Sequence, residues 1–179
     1  LFAEQEDYSR AGELYNRAFA TAPNDSTLLR NKGMMHERLG EIDQCITLYE
    51  AAVQNDPTDI PALNCLAMAQ WKFRGNVDIA CKILSEIIQG GRGDAVIFAN
   101  LGEINEERGD PATAERLYKQ SLDLDPHSES LLCKVANISL TVRGDVNCAK
   151  DYYRKAVLLN PENVEAMDQL KCCEASLGE

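Results

Sequence analysis

Histidine is nearly absent from this chain: there are two in 179 residues, His36 and His127, and each stands alone. Imidazole chemistry needs partners within reach, and no set of cysteine and histidine has the spacing of a zinc site. The sequence therefore predicts no metal, no cofactor and no catalytic residue. Long apolar runs are also missing. The longest charge-free stretch, Ile60 to Trp71, is roughly half of the ~20 residues that span a bilayer, and no signal-peptide pattern opens the chain, so no membrane insertion is expected. Basic residues are in deficit, 18 against 29 acidic, for a net charge of -11. A surface of that sign repels phosphate backbones, which excludes nucleic acid as a partner and favours a basic or partly apolar one. The glycine-rich run Gly90-Gly91-Arg92-Gly93 lacks the lysine and following hydroxyl of a phosphate loop and reads as a flexible turn. Cysteine is the exception to this scarcity. Seven residues, an odd number, all fall inside predicted helices, which points to reduced thiols in an intracellular, cytoplasmic setting rather than a disulfide framework.

What the chain does have is a period. Pro23, Pro57, Pro126 and Pro161 are separated by multiples of 34 or 35 residues, with the missing mark at Arg92. Small residues return at the same interval at Gly33, Ala67, Gly102 and Ala136, with Lys171 as the departure, and again at Ala11, Cys45, Ala80, Ala114 and Ala149. Four residues beyond the second series stand Tyr15, Tyr49, Leu84, Tyr118 and Tyr153, and a third series runs Ala18, Ala52, Ile87, Ser121 and Ala156. Small residues let two helix backbones approach closely, and a large ring fills the space beside them. A fixed period in this range means stacked units, each burying its apolar face against its neighbours. Helices are predicted near 8-21, 26-39, 42-55, 60-73, 77-89, 95-108, 111-124, 128-142, 146-159 and 163-177. Asp25 and Asp59 supply capping acceptors, Pro61 and Pro111 sit in first turns, and Gly40, Gly75, Gly109, Gly144 and Gly178 close first helices.

One regularity is finer. Arg74-Gly75-Asn76-Val77 and Arg143-Gly144-Asp145-Val146 carry an extra residue relative to Leu39-Gly40-Glu41-Ile42 and Arg108-Gly109-Asp110-Pro111. Duplication of a two-repeat unit accounts for it and predicts longer first helices in every second repeat.

The chain resembles the tetratricopeptide repeat family. The third full unit offers Phe98, Leu101-Gly102, Gly109-Asp110, Ala114, Tyr118 and Pro126, and the second offers Leu29, Gly33, Gly40, Cys45, Tyr49, Ala52 and Pro57. The resemblance implies an all-α, right-handed α-α superhelix of about five helix pairs. It reads as a single array over 1-179, with repeats at 1-23 in part, 24-57, 58-92, 93-126, 127-161 and 162-179 in part, as a segment of a longer protein. In that family the first helix of each pair lines a concave groove, and ligand contacts come from residues two and three before the small residue and one after it. Carried over, these positions give a peptide-binding set of Arg30, Asn31, Met34, Asn64, Met68, Asn100, Glu103, Lys134 and Asn137. Trp71, one turn beyond Met68, joins them as a ligand contact or as packing against the next repeat. Asparagine can donate and accept at once, which suits an extended backbone, and methionine adapts to apolar side chains. Members that bind acidic carboxy-terminal tails use a lysine and asparagine set that no three consecutive repeats here supply. Glu115 is expected on the outer helices, where charge reversal should matter little.

The function implied is a non-catalytic scaffold that holds a protein or peptide partner within a larger assembly. The alternative is a targeting array attached to a catalytic domain outside this chain, as in the intracellular N-acetylglucosamine transferase.

Overall fold

The computed structural model describes residues 22-178, which hold nine α-helices and no strand. The described residues divide into two compact units, with the boundary between Ile87 and Ile88. The first contains α1 (Ser26–Arg38), α2 (Ile42–Asn55), α3 (Ile60–Arg74) and all but the end of α4 (Val77–Gln89). The second contains α5 (Ala95–Glu107), α6 (Pro111–Leu124), α7 (Glu129–Arg143), α8 (Val146–Leu159) and α9 (Val164–Leu177). These ends agree with the predicted helices to within one residue. The predicted helix 8-21, with Ala11, Tyr15 and Ala18, lies outside the described residues.

Local chemistry explains where each helix begins. The side chains of Asp25, Asp59 and Asp94 accept from the amides of Leu28 (2.8 Å), Ala62 (2.9 Å) and Ile97 (2.9 Å). Asp110, Asp145 and Asn163 do the same for Thr113, Cys148 and Ala166. Each cap satisfies one of the orphan donors of a first turn. Pro61 and Pro111 occupy first turns, where no amide is needed.

The helix ends alternate as the duplication predicts. First helices α1, α3, α5 and α7 have 13, 15, 13 and 15 residues. In the short pair the cap residue, Leu39 or Arg108, stays right-handed, and the following Gly40 or Gly109 takes the positive φ. In the long pair Gly75 and Gly144 are themselves the caps, at φ 66°. The added helical residue is used: Arg74 at the tip of α3 pairs with Asp43 on α2, and Arg143 at the tip of α7 reaches Glu115 on α6. Each longer helix is thus tied to the second helix of the preceding repeat.

The core follows the periodic series. Cys45, Tyr49, Ala80, Leu84, Ala114, Tyr118 and Ala149 are fully inaccessible, and Tyr153 nearly so. Burial raises the Cys45 thiol pKa to about 11, with Glu37 adding to the effect, so it is an inert core group. None of the seven cysteines forms a disulfide.

The two glycines of the first small series are required by their rings. A Cβ on Gly33 would lie 2.6 Å from Tyr49 Cε1, and one on Gly102 would lie 2.5 Å from Tyr118 Cε1. Where alanine replaces glycine the partner differs. Ala67 belongs to the repeat with Leu84, and Ala136 to the repeat whose Tyr153 hydroxyl bonds Asn137 rather than a glutamate. Gly102→Ala should therefore displace the Tyr118 ring from Glu106. The overpacking exceeds the gain in helix propensity, for a net loss of about 1 kcal/mol, measured as a lower Tm.

One position corrects the sequence reading. Glu115 is not on the outer surface but 1% exposed. Its Oε1 accepts from Lys119 Nζ at 2.7 Å and Ser139 Oγ at 3.3 Å, and Arg143 Nε lies 2.9 Å from Oε2. The position that is Ile46 in the first unit is here a buried carboxylate held by two cations.

Candidate functional site

In the first unit the predicted site residues lie on α1 and α3. Met34 is 40% exposed, while Asn31, Asn64, Met68 and Trp71 are half-buried. The Asn31 amide makes no hydrogen bond among the described residues, whereas Asn64 has a partner there. Arg30 is committed within the unit: its Nη1 lies 3.0 Å from Asp59 Oδ1. Asp59 also accepts from Ser26 and caps α3, so one carboxylate staples two successive first helices. Trp71 carries Lys72 over its ring at 5.7 Å.

In the second unit Asn100 and Glu103 lie on α5, and Lys134 and Asn137 on α7. Lys134 Nζ is 2.8 Å from Glu106 and 4.0 Å from Glu103, and it stands 5.3 Å from the Tyr118 ring centre. Asn137 is exposed, yet its Oδ1 accepts the Tyr153 hydroxyl at 2.6 Å. Both Lys134 and Asn137 line a cleft of about 340 Å³ between α7 and α9, with Glu129, Ser130, Cys133, Tyr153, Asn163, Glu165 and Ala166. Glu129 accepts from Asn160 and Asn163, which hold its carboxyl below the ordinary range. Burial raises the Cys133 thiol, and Glu129 and Glu165 push it further. The cleft is polar and acidic, and the buried residues Tyr153 and Ala166 are also part of its lining.

The sequence reading missed the acceptors of the core tyrosines. Tyr49 donates to Glu37 at 2.7 Å and Tyr118 to Glu106 at 2.6 Å. Each glutamate lies four residues after the small glycine, on the first-helix side. A signal was present: in the intervening repeat the tyrosine is Leu84, with no hydroxyl, and the equivalent of Glu37 and Glu106 is Trp71. The carboxylate is lost together with the hydroxyl it serves.

Two tetratricopeptide repeat family models match, over residues 1-60 and 97-132. Among curated relatives, Tetratricopeptide repeat protein 8 of Caenorhabditis elegans is 24% identical, covering 87% of this chain and 31% of the relative. ER membrane protein complex subunit 2-A of Xenopus laevis is also 24% identical, covering 81% and 49% respectively. The chain thus spans half or less of the length of these relatives. Among solved structures, Pseudomonas aeruginosa pilF superimposes with a TM-score of 0.80 at 16% identity, covering 98% of this chain and 85% of the other. YrrB, described as a TPR protein with an unusual peptide-binding site, gives 0.74 at 13% identity over 92% and 84%. These likenesses show the fold, an all-α superhelical repeat. These matches indicate no enzymatic family, and no described helix is long and apolar enough to cross a membrane.

Proposed function

The chain belongs to the tetratricopeptide repeat superfamily, and from that premise we propose that it is a non-catalytic interaction scaffold whose first helices hold an extended segment of a partner protein. The observation that carries this reading is the cleft on α7 and α9, which gathers Lys134 and Asn137 with Glu129 and Glu165 beside Tyr153 and Ala166. Exposed Met34 and the uncommitted Asn31 amide offer comparable contacts on α1. Net charge of -11 supports a basic or partly apolar segment. Two of the proteins similar to this chain lend support: YrrB is described as having a peptide-binding site, and the Xenopus relative is a subunit of a multiprotein complex. Seven cysteines outside any disulfide support an intracellular, cytoplasmic placement.

The test is a titration of the partner recovered with the full-length protein. Asn31→Ala with Asn100→Ala should weaken binding by about 0.5 to 1.5 kcal/mol per lost hydrogen bond, with melting curves showing that the fold persists. Arg116→Glu, an exposed change on α6, replaces the unsuitable Glu115 as the outer-surface control and should bind as the wild type does. Full affinity in the double variant with loss in Arg116→Glu would move the binding surface to the second helices.

A further inference from the structure

Lys134 is the one cation among the predicted contact residues of the second unit, and the chain supplies a carboxylate for it from within. Its ammonium lies 2.8 Å from Glu106 Oε2 and donates to Tyr118 Oη at 3.4 Å, with Glu103 Oε1 at 4.0 Å. Glu106 is fixed in turn by the Tyr118 hydroxyl. Burial pushes the Glu106 carboxyl up, but Lys134 and Tyr118 outweigh that and hold it below the ordinary range, so Glu106 stays charged at neutral pH.

The lysine is not needed to support the tyrosine. In the first unit Glu37 accepts from Tyr49 in the same way, and the nearby residue two before the next small position is Cys65, whose thiol feels the Glu37 charge. Lys134 is therefore an addition to a pair that functions without it. A partner carboxylate binding Lys134 must displace Glu106, 2.8 Å from the ammonium, and meets the charge of Glu103, 4.0 Å from it. A cation meets Glu103 and, in the adjoining cleft, Glu165.

We propose that Glu106 is a specificity-determining residue: it occupies Lys134 in the place of a partner's carboxylate, so that the first-helix face of the second unit rejects acidic segments and accepts cationic ones. This rests on the reading that the face contacts a partner, and it names the charge of that partner.

Pentaglutamate and pentalysine peptides carrying a fluorophore are titrated against the chain at low ionic strength, where surface charge is least screened. The wild type should bind pentalysine in preference to pentaglutamate. Glu106→Gln keeps an acceptor for Tyr118 and should bind pentaglutamate about fivefold more tightly than the wild type. Adding Lys134→Met should abolish that gain. Should Glu106→Gln lose its melting transition, Lys134→Met alone serves, since it should raise pentalysine affinity and leave pentaglutamate unbound. Unchanged pentaglutamate affinity in a folded Glu106→Gln, a gain that survives Lys134→Met, or unchanged pentalysine affinity in Lys134→Met overturns the proposal. These peptide readouts do not involve the natural partner. A partner insensitive to Asn31 and Asn100 would remove these first-helix positions as its contacts while leaving the charge selection measurable.

Discussion

Glu115→Lys is expected to lose about 3 to 5 kcal/mol, the range seen when a buried ion pair loses one partner. The wild-type carboxylate is 1% exposed and neutralises Lys119 and Arg143 while accepting from Ser139. A lysine there would place a third cation in the same space and leave Ser139 facing a donor. The surface end of the network is more forgiving. Arg143 is 56% exposed, so Arg143→Met leaves Glu115 paired with Lys119 and should cost only about 1 kcal/mol or less. Urea unfolding of both variants checks the pair of expectations. Equal Cm values would mean that Glu115 is not the buried centre of the network.

The same residue shows what the sequence could and could not convey. The helices, their ends and the core were legible because backbone chemistry is local. An aspartate at a helix start, a glycine beyond its end and small residues four apart from large ones each act within one repeat. The extra residue in alternate repeats was legible for the same reason, as a difference of length against a fixed period. Glu115 was not. Its series reads Ile46, Cys81, Glu115, Lys150, which gives no consistent sign of burial, and its partner Arg143 belongs to the longer helix of the following repeat. Whether that arginine reaches inward or toward water depends on how two repeats stack.

The candidate site divides along the same line. The period placed Asn31, Met34, Lys134 and Asn137 on first helices, where they stand. It did not show that Arg30 is held by Asp59 or Lys134 by Glu106, because each pairing joins residues about one repeat apart through side chains of particular length. The position two before the small residue is asparagine, cysteine, asparagine and lysine in turn, at Asn31, Cys65, Asn100 and Lys134. Only the stacking of the two repeats brings the lysine to the glutamate of the preceding repeat. Periodicity fixes which face a residue occupies, whereas its neighbours decide whether it is available to a partner.

Ala114→Trp is the complementary test, of packing rather than charge. Ala114 is fully inaccessible and belongs to the same core cluster as Tyr118, Val135, Ala136, Ala149, Tyr153 and Cys173. An indole added there has no surface to move toward, so the cost should reach about 3 kcal/mol, the upper end of typical overpacking. Ala112→Trp, two residues earlier and exposed, should stay within about 0.5 kcal/mol of the wild type. The effect should also travel. In a stacked repeat each unit depends on its neighbour for burial, and this cluster runs from α6 through α7 and α8 to α9. Cys173, 2% exposed on α9, is the reporter: its thiol should react slowly with a soluble disulfide reagent in the wild type and markedly faster in Ala114→Trp. Exposed Cys172 reacts in both proteins, so mass mapping of the modified peptides separates the two sites. An unchanged Tm would contradict the core assignment of Ala114. A lowered Tm with Cys173 still protected at the same temperature would confine the damage to one helix pair and contradict the coupling between repeats.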